Sequence, residues 1–178
     1  MDGVDEEPGA QESALVTAVS RGCTFQLTYA TRAGTVPPIY DLTLSRLASE
    51  TCMWPAADLG VGSSVNSTPR LSLVANDLGV ALGYTMKSGY SGSSPVTVSI
   101  KHVDPELLTV VRTTGLAVYL GTGSVYLSYL AIGADGTTLT AGGTKTGRIF
   151  GETGSGSNFV ATFPDFFTST TPGTVVAY

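Results

Sequence analysis

The sequence predicts an all-β protein, an antiparallel β-sandwich of jelly-roll-like kind, on three observations. Only 13% of the residues are charged, about half the usual ~25%, and Gly, Ser and Thr take their place. Those residues are poor in helix interiors, because Ser and Thr compete for backbone hydrogen bonds and Gly loses too much entropy. Several short runs alternate apolar and polar residues with a period of two, the signature of a half-buried strand. Turn residues interrupt these runs every eight to twelve positions, the spacing of a sandwich or barrel.

Taken in order, Leu15–Val19 is a short apolar run. Phe25, Leu27 and Tyr29 then share one face, with Thr24, Gln26 and Thr28 on the other. After the Pro37-Pro38 turn, Tyr40–Leu44 alternates again. Leu42, Leu44 and Leu47 also fit a short helical turn through Ser45–Thr51, and Pro105–Leu108 fits a second one. Ala56–Pro69 is rich in Gly, Ser and Asn and reads as a loop, as does Lys87–Pro95. Leu71–Val74, Val80–Tyr84 and Pro95–Lys101 read as strands, the last the cleanest alternation in the chain. Leu108–Val111, Leu116–Leu120 and Val125–Ile132 follow, and Ala134-Asp135-Gly136-Thr137 is a hairpin turn. Ile149-Phe150, Phe159–Phe163 and Thr174–Tyr178 complete the series. Pairs of runs recur along the chain, each followed by a third strand, so a small propeller of four three-stranded repeats is the alternative arrangement.

Residues 1–13 read as an acidic flexible tail and 14–178 as a single all-β domain. Asp2, Asp5, Glu6, Glu7 and Glu12 precede any basic residue, and the remainder holds nine acids against nine basic residues. The net charge of −5 therefore belongs to the tail, and the body is formally neutral. A neutral body displaces few counterions from a phosphate backbone, so nucleic acid is not expected as a partner, nor is an anionic membrane surface. No run of 18 or more apolar residues is present to make a membrane span. No basic segment leading into an apolar stretch opens the chain as a signal peptide would.

The two cysteines, Cys23 and Cys52, read as one disulfide in an oxidising compartment, which would stabilise the fold by roughly 3–4 kcal/mol; two reduced, buried thiols are the alternative. Catalytic equipment is not recognisable. The single histidine, His102, sits at a strand end beside a Pro-containing turn, with no G-x-S-x-G elbow in the chain, and reads as solvent-facing. One His and two paired Cys cannot build a zinc site, and the acids of the body are scattered, so neither metal nor cofactor is expected. Glu152 and Asp165 are the nominal carboxylate pair for glycoside hydrolysis, with nothing in the sequence to single them out. Gly142–Gly147 lacks the P-loop spacing because Thr144 precedes Lys145, and reads as a flexible turn. Asn66-Ser67-Thr68 fits a glycosylation sequon.

Aromatic residues are the remaining lead. Tyr90, in a Gly/Ser loop, and Trp54 are candidates for stacking on a sugar ring. Tyr84, Tyr119, Tyr126 and Tyr129 sit in strand-like runs and read mainly as core. Phe166 and Phe167, with Phe163 around Pro164, either close the base of the core or form an exposed interface patch. In composition and strand rhythm the body resembles exterior proteins in general: viral coat or protruding domains, pilin-like subunits and bacterial surface lipoproteins. The acidic N-terminus departs from the basic arm of many coats. These features lead to the expectation of a non-enzymatic structural or assembly subunit on a cell surface, filament or virion exterior, homo-oligomeric. A glycan-binding or adhesive β-module is the alternative.

Overall fold

The computed structural model describes residues 14–119 and 123–178, so the tail assigned to 1–13 lies outside the described residues. Among the described residues, thirteen strands run as β1 (Val16–Ser20), β2 (Cys23–Thr31), β3 (Ile39–Arg46), β4 (Ala57–Val65), β5 (Leu71–Asn76), β6 (Gly79–Lys87), β7 (Val96–Asp104), β8 (Thr109–Leu116), β9 (Ser124–Ile132), β10 (Leu139–Thr146), β11 (Glu152–Gly154), β12 (Asn158–Phe163) and β13 (Thr174–Ala177). They form three sheets. The first two are four-stranded meanders, β1-β2-β3-β4 and β5-β6-β7-β8, and the third has the order β11-β13-β12-β10-β9. Every pairing is antiparallel except β11 with β13.

The second sheet lies between the other two, and β6 shows why. Val80, Leu82 and Tyr84 join Phe25, Leu27, Leu42 and Leu44 of the first sheet in one core. Ala81, on the opposite face, joins Leu127, Leu130, Phe159 and Phe163 of the third sheet in another. Each fully buried Leu or Phe side chain contributes about 1.5–3 kcal/mol, so both seams are strong. Strand β9 crosses the central sheet. Ser124 Oγ accepts from Val96 N at the start of β7, Leu127 and Leu130 sit over Gly83 of β6, and Leu130 N donates to Ser72 Oγ of β5.

The antiparallel sandwich expected from the alternation is present, with a third sheet added; the four three-stranded units are not formed. Two strands replace expected loops. β4 occupies most of 56–69, and β10 contains the Gly142–Thr146 stretch read as a flexible turn. In both, glycines depress the local strand signal for a tertiary reason. A Cβ at Gly62 would strike the Tyr84 hydroxyl, and one at Gly142 would strike the Tyr129 ring. The run at 108–111 falls mostly in β8, which ends at Leu116; of the 116–120 run, Val118 makes only an isolated bridge with Ile149, and residue 120 lies outside the described residues. Pro105–Leu108 is a turn closed by Leu108 N on Asp104 O at 3.0 Å, not a helix. Ser45 and Arg46 belong to β3, so the helical turn proposed through Thr51 does not start.

Each sheet has an edge strand broken by one bulge. The extra residues are Val61 in β4, Val111 in β8 and Ser128 in β9. A bulge interrupts the row of free backbone groups and twists the strand, which discourages another chain from adding there.

Candidate interaction face

The third sheet carries two charged side chains on its five strands, Lys145 in β10 and Glu152 in β11. Both turn inward and pair: Lys145 Nζ lies 3.1 Å from Glu152 Oε1, with both side chains buried. Lys145 Nζ also donates to Gly147 O at 2.9 Å, and Ile149 N donates to Glu152 Oε2 at 2.9 Å. Charge that sequence reading assigned to scattered surface acids is thus spent on holding the 147–152 connection.

The outward side of this sheet is left without a charged side chain, and its register arranges it in rows. Thr174, Thr162, Thr140 and Ala131 stand opposite one another across β13, β12, β10 and β9. The middle row is Thr153, Val176, Val160, Gly142 and Tyr129. The third is Asn158, Thr144 and Tyr126, extended by Tyr178, whose backbone exchanges hydrogen bonds of 3.1 and 3.0 Å with Asn158. Alternation forces this grouping, because Phe159, Ala161, Phe163, Val175 and Ala177 all point into the core. Tyr129 lies across Gly142 and is 43% exposed; Val176 is 49% exposed and Tyr178 64%. At the β9 rim, the Arg70 guanidinium stands 4.9 Å from the Tyr126 ring centroid, a cation–π contact.

The outer face of the first sheet is different. There Arg32 grips Asp41 with two hydrogen bonds of 2.9 and 2.6 Å, and Ser45 and Asp58 line a shallow groove of about 320 Å³ with Gln26 and Thr28. The Arg32 hydrogen bond holds the Asp41 carboxyl below its ordinary range.

The sequence-derived candidates fall in separate places. Cys23 and Cys52 form the disulfide. Trp54 is half-buried, with the Arg46 guanidinium 5.7 Å from its ring, and acts in packing. Tyr90 stands out in its loop at 62% exposure, remote in sequence from the other aromatics and without a second ring beside it among the described contacts. Phe166 and Phe167 are buried and close the core between the second and third sheets, so of their two readings the core one holds. His102 is a correction: it is buried, not solvent-facing, because Phe166 and Phe167 pack on its ring at 6.1 and 5.1 Å. Its Nε2 has no hydrogen-bond partner. Glu152 is consumed by Lys145, and Asp165 is exposed in the turn after β12, where its backbone carbonyl accepts from Ser169 N. Asn66, of the sequon, is exposed just past β4. No group of three or more His, Cys, Asp or Glu side chains converges among the described residues.

Sequence reasoning missed Tyr129, Val160, Val176 and the threonine row. One signal was available: β9, β12 and β13 contain no charged residue at all, on either face. An outer face normally carries charge, so its absence from three strands of one sheet marks a surface of unusual character. The class these features define is a disulfide-bonded, three-layered all-β protein with one uncharged outer face. Comparison of the chain with family models, curated proteins and solved structures gives no match.

Proposed function

We propose that this protein is a non-enzymatic structural or assembly subunit of an exterior structure, such as a cell surface, a filament or the outside of a virion. The observation that carries this reading is the uncharged outer face of the third sheet, which offers contact area and hydroxyl groups but no group that would do acid–base or nucleophilic chemistry. One edge of each sheet, β4, β8 and β9, is bulged, which discourages strand addition there and favours contact through a face. A Cys23–Cys52 bond suits an oxidising setting. No helix of the described residues is long and apolar enough to cross a membrane. Size-exclusion chromatography with light scattering over a wide concentration range tests the reading. A mass that climbs with concentration supports it, and a strict monomer at the highest concentration removes it.

A second reading, a glycan-binding or adhesive module, is favoured by one specific feature: Tyr129 lies exposed across Gly142 with Thr144 and Asn158 in the next row. An aromatic surface beside hydroxyl and amide groups suits a neutral sugar. Retention on an insoluble neutral polysaccharide that disappears in Tyr129→Ala would establish it, and no retention by the native protein would exclude it for that polymer.

A further inference from the structure

We infer that the outer face of the β9–β13 sheet is an isologous contact with a second copy of this chain, stacked face to face about a two-fold axis lying in the contact plane over Val160. This rests on the assembly reading above and names its partner.

The first ground is charge. The strands of the face put no charged side chain on it, and the Arg70 guanidinium stands only at its β9 rim against Tyr126, so opposing the centre of the face to itself brings no like charges together. The outer face of the first sheet, with Arg32, Asp41 and Asp58, lacks that property.

The second ground is anatomy. The central row is apolar from Val176 through Val160 and Gly142 to Tyr129, which covers the glycine, with Thr153 at its β11 end. The rows on either side are hydroxyl- and amide-bearing: Thr174, Thr162 and Thr140 on one, Tyr178, Asn158 and Thr144 on the other. An apolar centre flanked by uncharged polar groups, with tyrosine enriched, is the composition of a protein–protein contact.

The third ground is symmetry. β12 is the middle strand of the five, and Val160 is its outward residue in the middle row. A two-fold axis in the contact plane through this point, whether along the strand or along the row, returns Val160 onto Val160 and the apolar row onto itself. Two sheets then pack about 10 Å apart with their central strands aligned, the spacing of inner faces in sandwiches.

The size of the face sets the strength. Five strands spaced ~4.8 Å, with three rows of outward residues at ~3.3 Å per position, cover about 500 Å² per copy. The pair buries about 1,000 Å², the lower end for a specific contact, so the association should be reversible and concentration-dependent rather than obligate. The bulges in β4, β8 and β9 discourage strand addition at one edge of each sheet.

Sedimentation velocity of the full chain, with circular dichroism as a folding control, tests the proposal. The native protein should pass from monomer to dimer as concentration rises. Val160→Lys puts an ammonium in the dry centre and should raise the dimer dissociation constant at least about tenfold. Thr162→Lys, one pair of positions along the same strand, should do so more weakly, and Thr17→Lys on the first sheet should not. Two stacked sheets are too far apart for a direct disulfide, so Val160→Cys should join to itself through a short bismaleimide while Thr17→Cys does not. If the native protein dimerises but Val160→Lys, correctly folded, dimerises equally well, the face is overturned and the assembly reading stands. If the native protein stays monomeric throughout, both fall. Retention of such a monomer on insoluble neutral polysaccharide, lost in Tyr129→Ala, would give the face to a glycan instead.

Discussion

The two seams of the central sheet are built from the same clamp and locked by opposite chemistry. In the seam with the first sheet, Arg46 of β3 donates to the carbonyls of Pro55, Pro105 and Glu106 at 2.9, 2.7 and 2.7 Å. In the seam with the third sheet, Arg112 of β8 donates to the carbonyls of Phe166, Ser169 and Thr171 at 3.3, 3.0 and 2.7 Å. Among the described residues neither guanidinium has a carboxylate partner; each is satisfied by backbone oxygens, with an aromatic ring nearby. Around the first clamp stand a disulfide and a buried phenol, Tyr84, whose hydroxyl donates to Val61 O at 2.9 Å. Around the second stand an imidazole, His102, and, further along the same core, the Lys145–Glu152 ion pair. The first seam should therefore yield to reductant and alkali, the second to acid and to deletion of a charge.

The largest effect is expected on the ionic side. Lys145→Met leaves the Glu152 carboxylate buried with only the Ile149 amide donating to it, and should cost about 3–5 kcal/mol of stability in urea unfolding. Adding Glu152→Gln should recover much of that loss, because an uncharged amide needs no cation. If Lys145→Met costs less than about 1 kcal/mol, the pair does not hold the third sheet as described.

On the covalent side, replacing both Cys23 and Cys52 by serine opens a loop with a sequence separation of 29 and should cost about 3–4 kcal/mol in the chain-entropy account. The sharper expectation is regional. Hydrogen exchange should rise in β1–β4 more than in β9–β13, since the bond ties Cys23 of β2 to the connection after β3. A uniform rise would mean that the two seams open together and the division drawn between them is false.

How far the seams could be read from sequence differs in the same way. The first is visible: Phe25-x-Leu27-x-Tyr29 and Leu42-x-Leu44 state their buried face outright, and the cysteines announce the bond. The second is harder to read because β6 presents only small residues to it, although Val98 and Ile100 of β7 also line it. In β6, Val80, Leu82 and Tyr84 display one apolar face, while Ala81 and Gly83 on the other look like filler until Leu127 and Leu130 are seen seated over Gly83. A strand buried on both faces with large residues on one only reads as half-exposed. His102 was misplaced for a related reason: its cover, Phe166 and Phe167, comes from a distant part of the chain that no local pattern connects to it. The uncharged outer face left only a partial signal, the lack of charge in three strands, which becomes a surface once register sets β13, β12, β10 and β9 side by side.

The smallest effects are the pH limbs, and they separate the seams most cleanly. Burial lowers the His102 pKa from its ordinary 6.5, with Arg112 on the facing strand adding repulsion; the Asp104 charge and the Leu78 backbone act the other way. A lowered folded-state value means that the unfolded chain binds the proton more readily. Stability is therefore complete above about 6.5 and declines as pH falls from there toward the folded-state value. The contributions of Asp41 and Asp135, the latter held at about 2 by Thr138 and Thr137, are complete above the ordinary carboxylate value of 3.8 and are lost only below it, outside this window. In the first seam burial raises the Tyr84 pKa above 10.0, so its contribution is intact below that value and lost as pH rises past it. Urea midpoints between pH 7.5 and 5 should fall in the native protein and stay level in His102→Gln, and Tyr84→Phe should flatten only the alkaline limb. An acid limb unchanged in His102→Gln would place the acid-sensitive group outside the second seam, and the contrast between the two seams would then rest on the disulfide and the ion pair alone.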